Sequence, residues 1–282
     1  MRLLGNLPIR QASLKHTTNA PNNEDIETPS LLLPGSACDY LCQSFRYFSQ
    51  LESLRVLDIH EAVISPELFW PSDINTKPPF WPNLTILRVS FNFMAADGGW
   101  YYEQNPHVLP DSDDEDGSPF NPDFESMPPT PERVFAEEEA RAINTDFSAE
   151  SDLSATDSET ESQQGQIYDT SHYFRTWPSP KMEALLQAMA RAVTRMPRLR
   201  QFMAGSSFYD YHRGQRVDFE FFYLCAGEPQ VDCDAQFEHD DVAKRRLLWY
   251  VPPLWRMSDA VEQLWRETLG QGGIIEYREW DD

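Results

Sequence analysis

The chain has no apolar run near the roughly 18 residues that a membrane-spanning helix needs, and none of the short motifs that announce a common chemistry. HExxH, G-x-S-x-G, a phosphate loop and G-x-G-x-x-G are all missing, so zinc hydrolysis, serine acyl transfer and nucleotide binding have no local signature. Positive charge is also scarce, with 23 Lys and Arg against 46 Asp and Glu, a formal net charge of −23. Duplex binding draws most of its affinity from Lys and Arg on phosphates, and no basic stripe is visible, so no nucleic-acid partner is expected. Cysteine is limited to Cys38, Cys42, Cys225 and Cys233. The leucines of residues 1–10 are broken by Gly5, Asn6 and Pro8, too short and interrupted for a signal-peptide core. Few thiols without a secretory leader point to a reducing compartment, cytoplasmic or nuclear.

What the chain does contain is a recurring cadence. Leu51, Leu54, Val56, Leu57 and Ile59 align with Trp81, Leu84, Ile86, Leu87 and Val89 at an offset of 30, and Met196, Leu199, Phe202 and Ala204 repeat most of the pattern. A template of this kind implies helix-and-strand units stacked side by side, each burying its apolar face on its neighbours. The outer surface of such a stack is a platform for a partner.

Residues 1–30 lack periodicity and carry turn formers such as Asn19, Pro21, Asn22 and Asn23, which reads as a loose tail. A helix is expected from an N-cap at Ser36, with Asp39 in its first turn and Cys38, Leu41, Cys42, Phe45 and Phe48 on one apolar face. Strands follow at 54–59 and 84–91, so residues 31–102 read as repeat-like units. Ser179 and Pro180 mark an N-cap and first helical position, ahead of the amphipathic stripe Met182, Leu185, Leu186, Met189, Val193 and Met196. The third template strand begins at Leu199. Alternation in Val217, Phe219, Phe221 and Tyr223, strands at 246–251 and 274–277, and a helix capped by Ser258 and ended by Gly270 complete residues 170–282 as one more unit with a C-terminal strand-and-helix cap. The fold class is α/β, an irregular leucine-rich-repeat-like stack.

Residues 103–169 interrupt it. Between 111 and 161 there are seventeen acidic residues against Arg133 and Arg141, so this segment carries −15 of the chain's −23 and leaves −8 for the rest. Its apolar residues are too scattered to offset the roughly 1 to 2 kcal/mol per residue of backbone ordering, and it reads as a disordered acidic insert. Closure entropy grows only about 0.6 kcal/mol per doubling of loop length, so the insert need not break the stack. Strands 84–91 and 199–204 are therefore expected side by side in one sheet.

Several constellations invite a functional reading. Cys38 and Cys42 lie four apart, but the remaining Cys and His do not complete a zinc set, and core thiols are the simpler reading. Ser112, Asp114, Asp116, Gly117 and Asp123 touch a calcium-loop template whose first and last positions hold the wrong residues. The six His are dispersed. No metal, cofactor or enzymatic activity is expected. Ser154, Thr156 and Ser158 each precede an acidic residue by three positions, which makes them candidate phosphorylation sites. Trp100, Tyr101 and Tyr102 at the root of the insert form a candidate partner-binding patch, or pack on the end of the sheet.

Residues 51–70 (LESLRVLDIHEAVISPELFW), 79–92 (PFWPNLTILRVSFN), 182–202 and above all 245–270 (RRLLWYVPPLWRMSDAVEQLWRETLG) resemble the leucine-rich-repeat-like region of fungal F-box proteins. The resemblance implies a substrate-recognition module of a ubiquitin-ligase adaptor, with a Skp1-type subunit and a ubiquitination substrate as partners. Two features depart from that pattern. No F-box helices follow Leu7 and Pro8, which leaves a stand-alone binding or scaffold protein as the alternative. The positions where leucine-rich repeats place Asn or Cys are here Ile59, Val89 and Ala204.

Overall fold

The computed structural model describes residues 9–16, 28–36, 38–73, 75–104, 106, 175, 177–210, 215–229 and 241–279. The chain divides into two compact units, Met1–Pro106 with Thr170–Asp282, and His107–Asp169. The second unit, which holds the acidic stretch and Ser154, Thr156 and Ser158, lies outside the described residues.

In the first unit the strands are β1 Gln11–Lys15, β2 Val56–Ala62, β3 Ile86–Phe91, β4 Tyr102–Glu103, β5 Trp177–Pro178, β6 Gln201–Asp210, β7 Gln215–Leu224, β8 Arg246–Val251 and β9 Ile274–Glu279. The helices are α1 Tyr40–Ser49, α2 Pro180–Val193 and α3 Asp259–Leu269, with a 3-10 turn at Pro66–Leu68. Seven strands form one sheet in the order β1-β2-β3-β6-β7-β8-β9, in which only β7 runs antiparallel to its neighbours. The fold is mixed α/β.

The offsets of the sequence template reappear as sheet register. Val56, Leu57 and Ile59 pair with Ile86, Leu87 and Val89, and Leu87 and Val89 pair with Phe202 and Ala204. β3 and β6 are therefore adjacent, as expected, although the second unit lies between them in sequence. Side chains alternate across the sheet, so register assigns whole rows to a face. Ala12, Leu57, Leu87, Phe202, Tyr223, Leu247 and Ile275 form one row, and Leu14, Ile59, Val89, Ala204, Phe221, Trp249 and Tyr277 the next. Both rows belong to the main core, together with Leu185, Met189 and Val193 of α2 and Val261 and Trp265 of α3. Ile59, Val89 and Ala204 are apolar because they point into this helix layer. Burying the Ile59 or Val89 side chain contributes about 1.5 to 3 kcal/mol.

Two expectations need correction. Residues 11–15 are not part of a loose tail: they form edge strand β1, parallel to β2, where Ala12 and Leu14 pack on the core. A five-residue strand with two small-to-medium apolar positions has too little alternation to be read from sequence. Helix α1 starts at Tyr40, not near Ser36, because the Asp39 carboxylate accepts from the Cys42 backbone N–H at 3.0 Å and is the true N-cap. Its buried residues are Cys42, Arg46 and Ser49, while Leu41 is exposed and Phe45 and Phe48 are half-buried. The C-terminal strands β7, β8 and β9 continue the same sheet at its end. Ser258 and Gly270 bound α3 as expected, with Gly270 at φ 77°.

Candidate functional site

The opposite face of the sheet carries three further rows. The middle one runs Ser13, Asp58, Arg88, Met203, Phe222, Leu248 and Glu276. Beside it, Ser90, Gly205, Glu220, Tyr250 and Arg278 are in register. No described helix packs here. Toward β7 and β8 the face buries a small apolar cluster of Phe222, Leu224 and Leu248, with Met203 at its margin. Toward β1, β2 and β3 it turns polar, and Ser13, Lys15, His60 and Ser90 are exposed.

A cavity of about 230 Å³ opens where the two halves meet, lined by His60, Arg88, Ser90, Met203, Gly205 and Glu220 among others. Three local features shape it. Gly205 forms the floor: a Cβ there would lie 2.6 Å from the Phe219 carbonyl and 2.5 Å from Cγ of Glu220, so no side chain fits. The Arg88 guanidinium donates to Asp58 Oδ1 at 3.0 Å across the β2–β3 pair, with the Arg88 side chain 44% exposed and that of Asp58 11%. The register shift between Ile59 and Ala62 inserts an extra residue into β2, and Glu61 adopts φ 52° there, a left-handed conformation uncommon for a residue other than glycine. The bulge sets His60 at the cavity rim. An isolated glycine inside a strand pattern was the available sequence signal for this site.

The aromatic triplet lies elsewhere. Tyr101 and Tyr102 are fully buried packing residues: the Tyr101 hydroxyl donates to the Ile64 carbonyl at 2.8 Å, and burial pushes its phenol far above the usual range. Tyr102 shares a hydrogen bond with the Ser206 hydroxyl and stands edge-on to Phe93 and Phe219. The two rings therefore pack in the core beside β4. Trp100 is half-buried, with the Arg175 guanidinium 5.4 Å from its ring centre.

Tyr101 also lines a second concavity of about 430 Å³ between α2, the 3-10 turn and the loop at Ala95 to Asp97, floored by Trp70, Ala95 and Ala188. Cys42 is a satisfied core thiol, accepting from the Ser65 N–H at 3.3 Å. Among the described residues no cluster of three His, Cys, Asp or Glu is arranged for a metal, and no helix is long and apolar enough to cross a membrane.

Compared with protein-family models, with characterised proteins and with solved structures, the chain has no match.

Proposed function

We propose that this protein is a non-enzymatic protein-interaction module that holds a partner on the helix-free face of β2, β3 and β6. The observation that carries this reading is the stacking of the three template copies at constant register, which commits one face to the core and leaves the other as a polar surface with a side-chain-sized cavity at Gly205. Interaction surfaces combine an apolar centre with a polar rim, and Met203 and Phe222 beside His60, Arg88 and Ser90 supply that combination. The repeat-like stack and the residues quoted above support, more specifically, the substrate-recognition part of an F-box ubiquitin-ligase adaptor, with a Skp1-type subunit and a ubiquitination substrate as partners. The alternative is a stand-alone binding protein without ligase contact.

Affinity purification of the tagged chain from fungal cells, followed by mass spectrometry, separates them. Recovery of Skp1 and cullin subunits supports the adaptor; their absence beside another enriched protein supports the stand-alone module. In either case Ser90→Arg, which fills the cavity rim, is expected to lose the partner, and Ser44→Arg on the exposed side of α1 to retain it. Retention by both variants would remove the helix-free face as the binding surface.

A further inference from the structure

The two edges of the seven-stranded sheet differ. β1 at one edge is five residues long and exposes Gln11, Ser13 and Lys15, with Lys15 paired to Glu61 at 3.1 Å. Short length and a lysine are common means of blunting an edge. β9 at the other edge is six residues long, and Ile274, Ile275 and Tyr277 in it are half-exposed. Ile275 and Tyr277 lie against the main core, as does half-exposed Leu264 of α3. Among the described residues no strand pairs with the outer side of β9.

One hydrogen bond sets the direction of the free backbone groups. The Ile274 N–H donates to the Arg245 carbonyl at 3.0 Å, in a parallel pairing that sets Ile274 opposite Arg246. Backbone groups alternate along a strand, so Ile274, Glu276 and Arg278 turn theirs toward β8, and Ile275, Tyr277 and Glu279 turn theirs outward. An antiparallel strand added here must match outward residues to outward residues. For a second β9 related by a two-fold axis, three registers near the middle of the strand do so, setting Glu276, Tyr277 or Arg278 opposite its own copy. The first brings two carboxylates together and the third two guanidinium groups, and like charges directly opposite are destabilising. The second makes hydrogen-bonded pairs of Tyr277 with Tyr277 and Ile275 with Glu279, and it sets Glu276 opposite Arg278 twice, in the closer non-hydrogen-bonded pairs. Both charged residues also have partners within their own chain, to which the junction adds.

We propose that the protein forms a homodimer through β9, antiparallel to β9 of a second copy about a two-fold axis at Tyr277. The axis is perpendicular to the sheet, so the two sheets join edge to edge with their helices on one side, and the contact is isologous. The charge order Glu276, Tyr277, Arg278 selects this register over its neighbours. The dimer does not depend on the partner surface proposed at β2, β3 and β6.

Sedimentation equilibrium of the full chain is expected to show a reversible monomer–dimer equilibrium. Arg278→Glu and Glu276→Arg should each weaken it roughly tenfold or more, whereas an equimolar mixture of the two variants should associate like the parent, because each junction pair is again of opposite charge. Glu276 also acts on buried Arg246, so a second test avoids charge reversal. Glu276→Cys mixed with Arg278→Cys should form an intermolecular disulfide between these positions, located by peptide mass spectrometry, and neither variant should cross-link to itself there, since those sulfurs sit two residues out of register. Ser90→Arg should dimerise like the parent, which separates this contact from partner binding. A chain that stays monomeric at high micromolar concentration, or a dimer that Arg278→Glu leaves unchanged, overturns the assignment.

Discussion

Arg46 on α1 and Glu67 in the 3-10 turn form a buried ion pair, with Nη1 3.0 Å from Oε2 and the two side chains 2% and 9% exposed. The same nitrogen donates to the Glu67 carbonyl at 2.7 Å, and the other carboxylate oxygen accepts from the Ser72 N–H at 2.8 Å. This is why α1 buries a charge where its apolar spacing suggested Phe45 and Phe48: the pair fastens the helix to the connection between β2 and β3.

Removing one partner strands the other charge. Glu67→Ala is expected to destabilise the fold by about 3 to 5 kcal/mol, whereas replacing both residues with apolar ones of similar volume should cost far less. Urea denaturation of the single and double variants measures the difference. Equal costs would mean that the pair contributes by shape alone.

Gly205 should tolerate nothing larger. Its missing Cβ would sit 2.6 Å from a carbonyl oxygen of β7, so Gly205→Ala must spread β6 from β7 at about 1 to 3 kcal/mol. A drop in melting temperature together with weaker partner binding is the expected outcome, because the displaced strand also deforms the cavity.

Cysteine reactivity should be ranked by burial. Desolvation, reinforced by Asp39, pushes the Cys42 thiol far above its ordinary value, and its sulfur is fully enclosed. Since only the thiolate is nucleophilic, mass spectrometry after brief alkylation of the native protein should find Cys38 and Cys225, both partly exposed, labelled well before Cys42. Early labelling of Cys42 would show that α1 opens easily.

A small acid dependence is expected at the Asp97–Lys181 pair. Burial raises the Asp97 carboxyl, but hydrogen bonds from Lys181 and the Gly99 N–H outweigh it and hold it below the ordinary range. A depressed carboxylate stabilises the fold above its unfolded pKa of about 3.9 and loses that contribution as pH falls through the lower folded value. Both side chains are well exposed, so the effect is below about 1 kcal/mol. Asp97→Asn should remove it, flattening the melting temperature between pH 5 and pH 2 by a corresponding amount.

Some of this architecture was readable in the chain. The offset of 30 between Leu57 and Leu87 became the register of β2 on β3, and Ser179–Pro180 and Ser258 marked helix starts, because apolar spacing and turn chemistry act locally. β1 leaves no local signal, being short and held only through its contact with β2. The cap of α1 is not fixed by residue type, since Ser36 and Asp39 both suit it, and only geometry shows which carboxylate or hydroxyl reaches an unpaired N–H.

By itself, then, the sequence determined which segments bury apolar surface and in what repeating order, and it concentrated −15 of the charge between residues 111 and 161. Tertiary structure alone decided what gathers at the sheet's faces and ends. Asp58 and Arg88, 30 residues apart, meet because parallel pairing aligns their strands, and Arg55, Arg200 and Arg245 share one edge because each precedes a strand running in the same direction. Such neighbours are fixed by strand order and register, which depend on contacts between distant segments, and no local spacing encodes them.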